Sequence, residues 1–317
     1  TRNMIIYGQG AIRCHPFVLA ELQAAGLEDE RAAVTAFDRA LFGHIGFSIS
    51  NFFRALWLGL SNSAFSASPY ADATAKYYKQ MNRYSAALAL MSDVAMGTMG
   101  GDLKRRERIS ARLGDMLSML YLTSSVLKRF NDDGRPAQDL PLVQWACEDN
   151  MYKAQVALDE MLDNFPNRIV GSVLGKLLFP WGRTLRKPSD QLDHQVSRIM
   201  QTPCEARSRL AKHVYLTLEP NNQIGLIEKA LTDILAAEPI FDKVVHAANK
   251  RLPFFRLHEV AALGLELGVI TEAEAEKLRV AEQGRLHTIN VDDFDPLELA
   301  ADKSLFDKKP KAKSVAA

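Results

Sequence analysis

The chain has 317 residues, enough for one large or two moderate domains, and 47% of them are hydrophobic, which excludes general disorder. Lys and Arg number 39 against 38 Asp and Glu, a net charge of +1, so bulk attraction to nucleic acid is excluded and no nucleic-acid partner is expected. No uninterrupted apolar run reaches the roughly 20 residues of a membrane span, and Thr1-Arg2-Asn3 lacks the shape of a signal peptide. Cys14, Cys147 and Cys204 are far apart and lack C-x-x-C pairing, so they read as small buried hydrophobes in a reducing compartment.

The opening, Asn3-Met4-Ile5-Ile6-Tyr7-Gly8-Gln9-Gly10, has the look of a strand followed by a dinucleotide-binding glycine loop. The third glycine is missing, because Arg13 stands in its place, and no acidic ribose ligand follows a second strand pattern. A short helix ending near Pro16 fits better. Helical patterns follow over 17–25 and 30–42, separated by Gly26-Leu27-Glu28-Asp29. In 43–60, Ile45, Ile49, Phe52, Phe53, Leu56, Trp57 and Leu60 cover one broad helical face, opposite His44, Ser48 and Asn51. Two readings stand: a bundle helix facing its own core, or a helix lying at a membrane interface. Arg54 disfavours spanning, since it would cost about 2.5 to 3.5 kcal/mol at a bilayer centre. On the interface reading, Phe52, Phe53 and Trp57 are membrane-contact candidates. Residues 61–72 read as a loop.

Three long amphipathic helices come next, and the rest of the chain is expected to pack against them. The first carries Tyr77, Met81, Tyr84, Leu88, Met91 and Ala95 on one face and ends at Gly97, Gly100 and Gly101. The second carries Ile109, Leu113, Met116, Leu117, Leu120 and Leu127 and stops before the loop 131–136. The third opens near Pro141 and carries Val143, Cys147, Met151, Ala154, Leu158, Met161 and Phe165. These stripes predict an all-α fold, an antiparallel helical bundle. With Leu117 in that interface, Leu117→Ala is expected to cost about 2 to 5 kcal/mol.

After the bundle, Ile169, Val170, Val173, Leu174, Leu177, Leu178 and Phe179 crowd a short helix that Pro180 must interrupt. Trp181, Arg183, Arg186 and Lys187 follow. An apolar helix too short to span, finished by Trp and cations, fits a segment resting at a membrane surface as well as one docked on the bundle. Lys176, Trp181, Arg183, Arg186 and Lys187 complete the membrane-contact candidates. Helices are expected over 190–201, 224–236 and from Pro239 to 250, and the capping box Thr271-Glu272-Ala273-Glu274 opens another that runs to about Leu286. Residues 290–296 are acidic and turn-rich, and 302–317 is a Lys-rich tail. There is no internal repeat and no convincing strand.

No local motif carries chemistry. The seven histidines nowhere fall at zinc-ligand spacing, H-E-x-x-H is absent, and His258-Glu259 lacks a following His, so no metal is expected. There is no P-loop. Lys104-Arg105-Arg106-Glu107-Arg108 sits at a helix start, where cations oppose the macrodipole, so Asp102, Glu107 and Asp115 or an anionic ligand must compensate. Asp93, Asp149 and Asp159 read as polar pairs within the bundle.

Residues 1–16, from Thr1 to His15-Pro16, resemble the segment of FadE-type bacterial acyl-coenzyme A dehydrogenases that directly follows their catalytic glutamate loop. The run 103–115, Asp139-Leu140-Pro141-Leu142-Val143, Asn164-Phe165-Pro166-Asn167-Arg168, Pro188-Ser189-Asp190 and the run 289–296 look like that family's carboxy-terminal region. The resemblance covers nearly the whole chain except the Lys-rich tail. It implies that 1–16 end the dehydrogenase core, that 17–296 form an all-helical C-terminal extension, and that 297–317 are a flexible tail. It also implies an intact enzyme of fatty-acid β-oxidation that converts long-chain acyl-CoA to trans-2-enoyl-CoA with FAD. Electron-transfer flavoprotein or a similar acceptor, a homodimer, and a location on the inner face of the bacterial inner membrane follow from the same resemblance. The catalytic Glu lies upstream of Thr1 in that family, so no catalytic or cofactor-binding residue is assigned here, and the chain alone is expected to be inactive. The alternative is a non-catalytic helical module that binds a membrane or a partner.

Overall fold

A computed structural model describes residues 15–249 and 256–291. Among these residues the backbone forms eleven α-helices and no strand, as the hydrophobic periodicity predicts. In chain order they are α1 (Val18–Ala25), α2 (Glu30–Leu60), α3 (Ala75–Met99), α4 (Glu107–Asp132), α5 (Leu140–Asp163), α6 (Arg168–Leu178), α7 (Asp190–Gln201), α8 (Glu205–Ala211), α9 (Gln223–Ala248), α10 (Leu257–Glu266) and α11 (Glu272–Ile289). They divide into two compact units, Thr1–Ala206 and Arg207–Ala317, each with its own core. The helix expected to end near Pro16, over residues 1–14, and the Lys-rich tail lie outside the described residues.

The first unit is organised by α3, α4 and α5. Tyr84, Met91 and Ala95 of α3, Leu113 and Met116 of α4, and Met151, Ala154, Leu158 and Met161 of α5 are buried in one cluster. Every residue of the stripe predicted for α5 is buried, from Val143 to Phe165. Short connections leave these neighbours antiparallel. Leu117 departs from expectation and is only half-buried. It lies one residue, about 100° of helix rotation, from Met116, and the α4 face closes instead through Ile109, Leu113, Met116, Leu120 and Leu127.

Two helices are longer than predicted. Residues 30–60 form a single helix, α2, because Gly43 is a packing position and not a start: a Cβ there would lie 2.5 Å from the Phe17 ring. Likewise α9 runs through Pro239. The proline removes one helical hydrogen bond, and the helix survives because Ala237, Ile240 and Val244 around it are buried in the second core with Leu257, Val260, Leu278 and Ala281. At α11 the capping box forms as predicted, with Thr271 Oγ1 accepting from the Glu274 amide and Glu274 accepting from the Thr271 amide at 2.7 Å.

The broad apolar face of α2 points away from the bundle. Ile45, Ile49, Phe52, Phe53, Trp57 and Leu60 are exposed, while Asn51, Ala55, Leu58 and Gly59 are buried. The core-facing reading of that stripe is therefore reversed. At the end of α2 the buried side chain of Arg83 donates to the carbonyl of Leu178 at 2.8 Å and to the Asn62 side chain. Burial lowers its pKa. Gly59 lets α2 approach α6 closely, since a Cβ there would lie 2.9 Å from the Leu177 carbonyl oxygen.

Before α3, Asp72 accepts from the Thr74 amide at 2.9 Å and its hydroxyl at 2.7 Å, and it pairs with Arg135, which lies over the Tyr70 ring at 3.7 Å. The Thr74 hydrogen bonds, then Arg135, pull the Asp72 carboxyl down to about 2.

Two outcomes are expected. Leu113→Ala should cost about 2 to 5 kcal/mol in denaturant melts and Leu117→Ala clearly less, because only Leu113 leaves a cavity in the closed core. Because the Asp72 carboxyl is depressed in the folded state, its contribution is present above the unfolded value near 4 and lost as pH falls through about 2. Asp72→Asn should flatten that acid limb by under about 1 kcal/mol, since the group is solvent-screened.

Candidate functional site

Among the described residues, a group of titratable side chains sits where α1, α2 and α3 meet. His15 precedes α1, and its Nδ1 lies 3.3 Å from the amides of Phe17 and Val18, which the helix start would leave without partners. Asp93 comes from α3. Its Oδ1 lies 3.1 Å from His15 Nε2 and 3.5 Å from His44 Nε2, and its Oδ2 accepts from Ser48 Oγ at 2.7 Å. On the far side of His44, Nδ1 lies 2.8 Å from Glu21 Oε1. The Phe17 ring stacks on His44 with centroids 6.0 Å apart, seated over Gly43. The side chains of His15 and Asp93 are 10% and 8% exposed. Burial lowers the pKa of His15, and the neighbouring Asp93 carboxylate opposes that shift.

The sequence signals this site only in part. Asp93 is predicted to make a polar pair within the bundle and does so, whereas Asp149 pairs along its own helix with Lys153 and Asp159 pairs with Arg183 of the segment after α6. His44, Ser48 and Asn51 are predicted on the polar side of α2, and that side faces inward. No local spacing joins His15, His44 and Asp93, so their meeting follows from the tertiary fold alone.

The membrane-contact candidates separate into two groups. Trp181 Nε1 donates to the Leu60 carbonyl at 2.7 Å, and Trp57 stacks on Phe65 with centroids 6.1 Å apart. Phe52 and Phe53 meet edge to face on the same helix. Trp57 and Trp181 are 57% and 67% exposed, so the aromatic candidates form an outward set near the end of α2. The cations turn elsewhere. Arg183 pairs with Asp159 and lies over the Phe179 ring, and Lys187 lies over the Tyr152 ring of α5. Arg186 lines a groove of about 300 Å³ with Lys76 and Glu148. Lys176 lines another, of about 460 Å³, with Arg168, Gly171, Ser172 and Gly175. In the basic run, Arg105 pairs with Asp102 at 3.7 Å, and Arg106 and Arg108 border a groove of about 450 Å³ with Arg112 and Asn164. These grooves are shallow and edged by charge. None of these three grooves offers the apolar slot an isoalloxazine ring needs.

A family model described as acyl-CoA dehydrogenase, C-terminal, bacterial type, matches residues 12–294. No solved structure matches the chain.

Removing the shared acceptor of the α1–α3 cluster leaves the Ser48 hydroxyl and the His15 imidazole without it. Asp93→Ala should therefore cost about 1 to 3 kcal/mol in urea melts, more than the same change at exposed Asp132, whose partner Lys128 stays in water.

Proposed function

The chain belongs to the bacterial-type acyl-CoA dehydrogenase C-terminal family, and from that membership we propose that it is the helical C-terminal part of an FAD-dependent enzyme oxidising long-chain acyl-CoA to trans-2-enoyl-CoA. In this reading the chemistry, the flavin and the contact with an electron-transfer flavoprotein or similar acceptor belong to the dehydrogenase core, and the chain alone is inactive. Its own task is attachment and stability. The observation that supports this is the outward apolar face of α2, which runs from Ile45 to Leu60 and is joined by Trp181.

A surface of that kind marks a contact with a membrane, a partner or another subunit. Trp57 and Trp181 suit the headgroup level of a bilayer, where aromatic side chains with one polar atom are enriched. Long-chain acyl thioesters partition into bilayers, so an enzyme resting on the inner membrane surface meets its substrate there. No described helix is long and apolar enough to cross a membrane, which leaves contact by a helix face. A homodimer closed through the same face is the second reading, favoured by the length of the stripe.

Two measurements test these readings. A longer gene product that includes the upstream core should show flavin absorbance and acyl-CoA oxidation, and the 317-residue chain neither. A longer product without flavin refutes the enzyme reading. In liposome co-sedimentation the chain should bind, and Trp57→Ala with Trp181→Ala should lower binding more than charge reversal at Arg183, Arg186 and Lys187, because Arg183 and Lys187 are already engaged. If vesicles leave the chain in the supernatant while sedimentation velocity shows a dimer that Phe53→Asp dissociates, the face is the subunit contact.

A further inference from the structure

We propose that His15, His44 and Asp93 form a binding site for a first-row divalent transition ion of the zinc class. One ligand atom from each residue converges, and the three lie within 4.8 Å of one another. A four-coordinate ion with bonds of about 2.0 to 2.2 Å holds its ligands roughly 3.3 Å apart. The distances from Asp93 Oδ1 to the two Nε2 atoms, 3.1 and 3.5 Å, bracket that value.

Each ligand is also oriented from behind. Glu21 accepts from Nδ1–H of His44, which directs the Nε2 lone pair toward Asp93 Oδ1. A carboxylate behind a histidine is the usual companion of a metal-bound imidazole. Ser48 occupies Asp93 Oδ2 and leaves Oδ1 free to turn to both rings. With Nδ1 of His44 so engaged, its Nε2 and Asp93 Oδ1 are two electron-rich atoms facing each other, and a positive species belongs between them. A proton or a metal ion satisfies this, and the donor set favours the metal. Two imidazoles and one carboxylate suit zinc and its neighbours, whereas calcium and magnesium require oxygen cages. Water completes the fourth position.

His15 is the weakest of the three ligands. The amides of Phe17 and Val18 call for a lone pair on its Nδ1, which places a proton on Nε2 in the metal-free chain. Ligation through Nε2 moves that proton to Nδ1, which takes the lone pair from the two amides and loosens both 3.3 Å contacts, so metal uptake acts on the start of α1. His44 and Asp93 make no comparable sacrifice.

The test uses the chelator-treated 317-residue chain and cobalt(II) as a visible probe, with zinc as competitor. One cobalt per chain is expected, with the intense visible bands of a tetrahedral ion, displaced by zinc. His44→Gln and Asp93→Asn should each weaken binding at least 100-fold, Glu21→Gln 10- to 100-fold and His15→Gln about 10-fold. Far-UV circular dichroism checks that each variant folds. X-ray absorption of the zinc-loaded wild type, which needs no variant, should show two imidazoles. Absence of the cobalt bands, or affinity that survives both His44→Gln and Asp93→Asn, overturns the proposal and leaves a hydrogen-bonded proton network. Ions held by surface histidines such as His194 or His287 would show that second pattern.

Discussion

A guanidinium buried to 3% exposure governs how the longest helix meets the bundle. Arg83 has the Leu178 carbonyl and the Asn62 side chain as partners, with no carboxylate bonded to it among the described residues. The Leu178 carbonyl belongs to the last turn of α6, whose dipole presents partial negative charge to a cation. Breaking this arrangement would strand a charge in the core, a loss of several kcal/mol. Residues 61–63 therefore hold their turn although Asn62 and Ser63 have φ values of 44° and 58°, a backbone conformation that costs non-glycine residues about 1 to 2 kcal/mol each.

At its other half, α2 is held by Ser48 and His44 against Asp93. Two polar attachments roughly half a helix length apart determine its rotation about its own axis. What faces the bundle is mostly small or polar, with Asn51, Ala55 and Gly59 inside beside Leu58. The other large apolar residues from Ile45 to Leu60 are turned outward or only partly covered. Ser48 and His44 at Asp93 and the Asn62 turn at Arg83 hold the helix in this rotation, and its apolar face is left for whatever covers it.

The centre of the bundle was legible because α3, α4 and α5 each present one apolar stripe and one wet face, which leaves a single sensible packing. Periodicity shows that a helix has an apolar face without naming the neighbour, and α2 demonstrates the difference. Gly43 looked like a boundary because the ring that occupies its missing side-chain space, Phe17, is distant in sequence. Pro239 looked like a helix start because the burial around Ala237 and Val244 that carries α9 through it is tertiary. Leu117 shows the limit of resolution within a stripe, where one position separates core from margin. The cluster of His15, His44 and Asp93 had no local signature, since each residue is contributed by a different segment. Only the polar trio on α2 hinted at it.

The placement of the aromatic residues also determines what light can report. The chain has three tryptophans, Trp57, Trp145 and Trp181, and all fall within Thr1–Ala206. Intrinsic indole emission is therefore blind to Arg207–Ala317, which carries its own core. Trp57 and Trp181 stand on the outward face, and Trp145 is tied to Asp193 of α7. A quencher dissolved in water would reach Trp57 and Trp181 when that face is bare and would lose them when it is covered, while Trp145, 36% exposed, stays within its reach. The chain thus carries a built-in optical gauge of its own occupancy, while the melting of the second unit needs a probe other than indole, such as Tyr215 or the backbone.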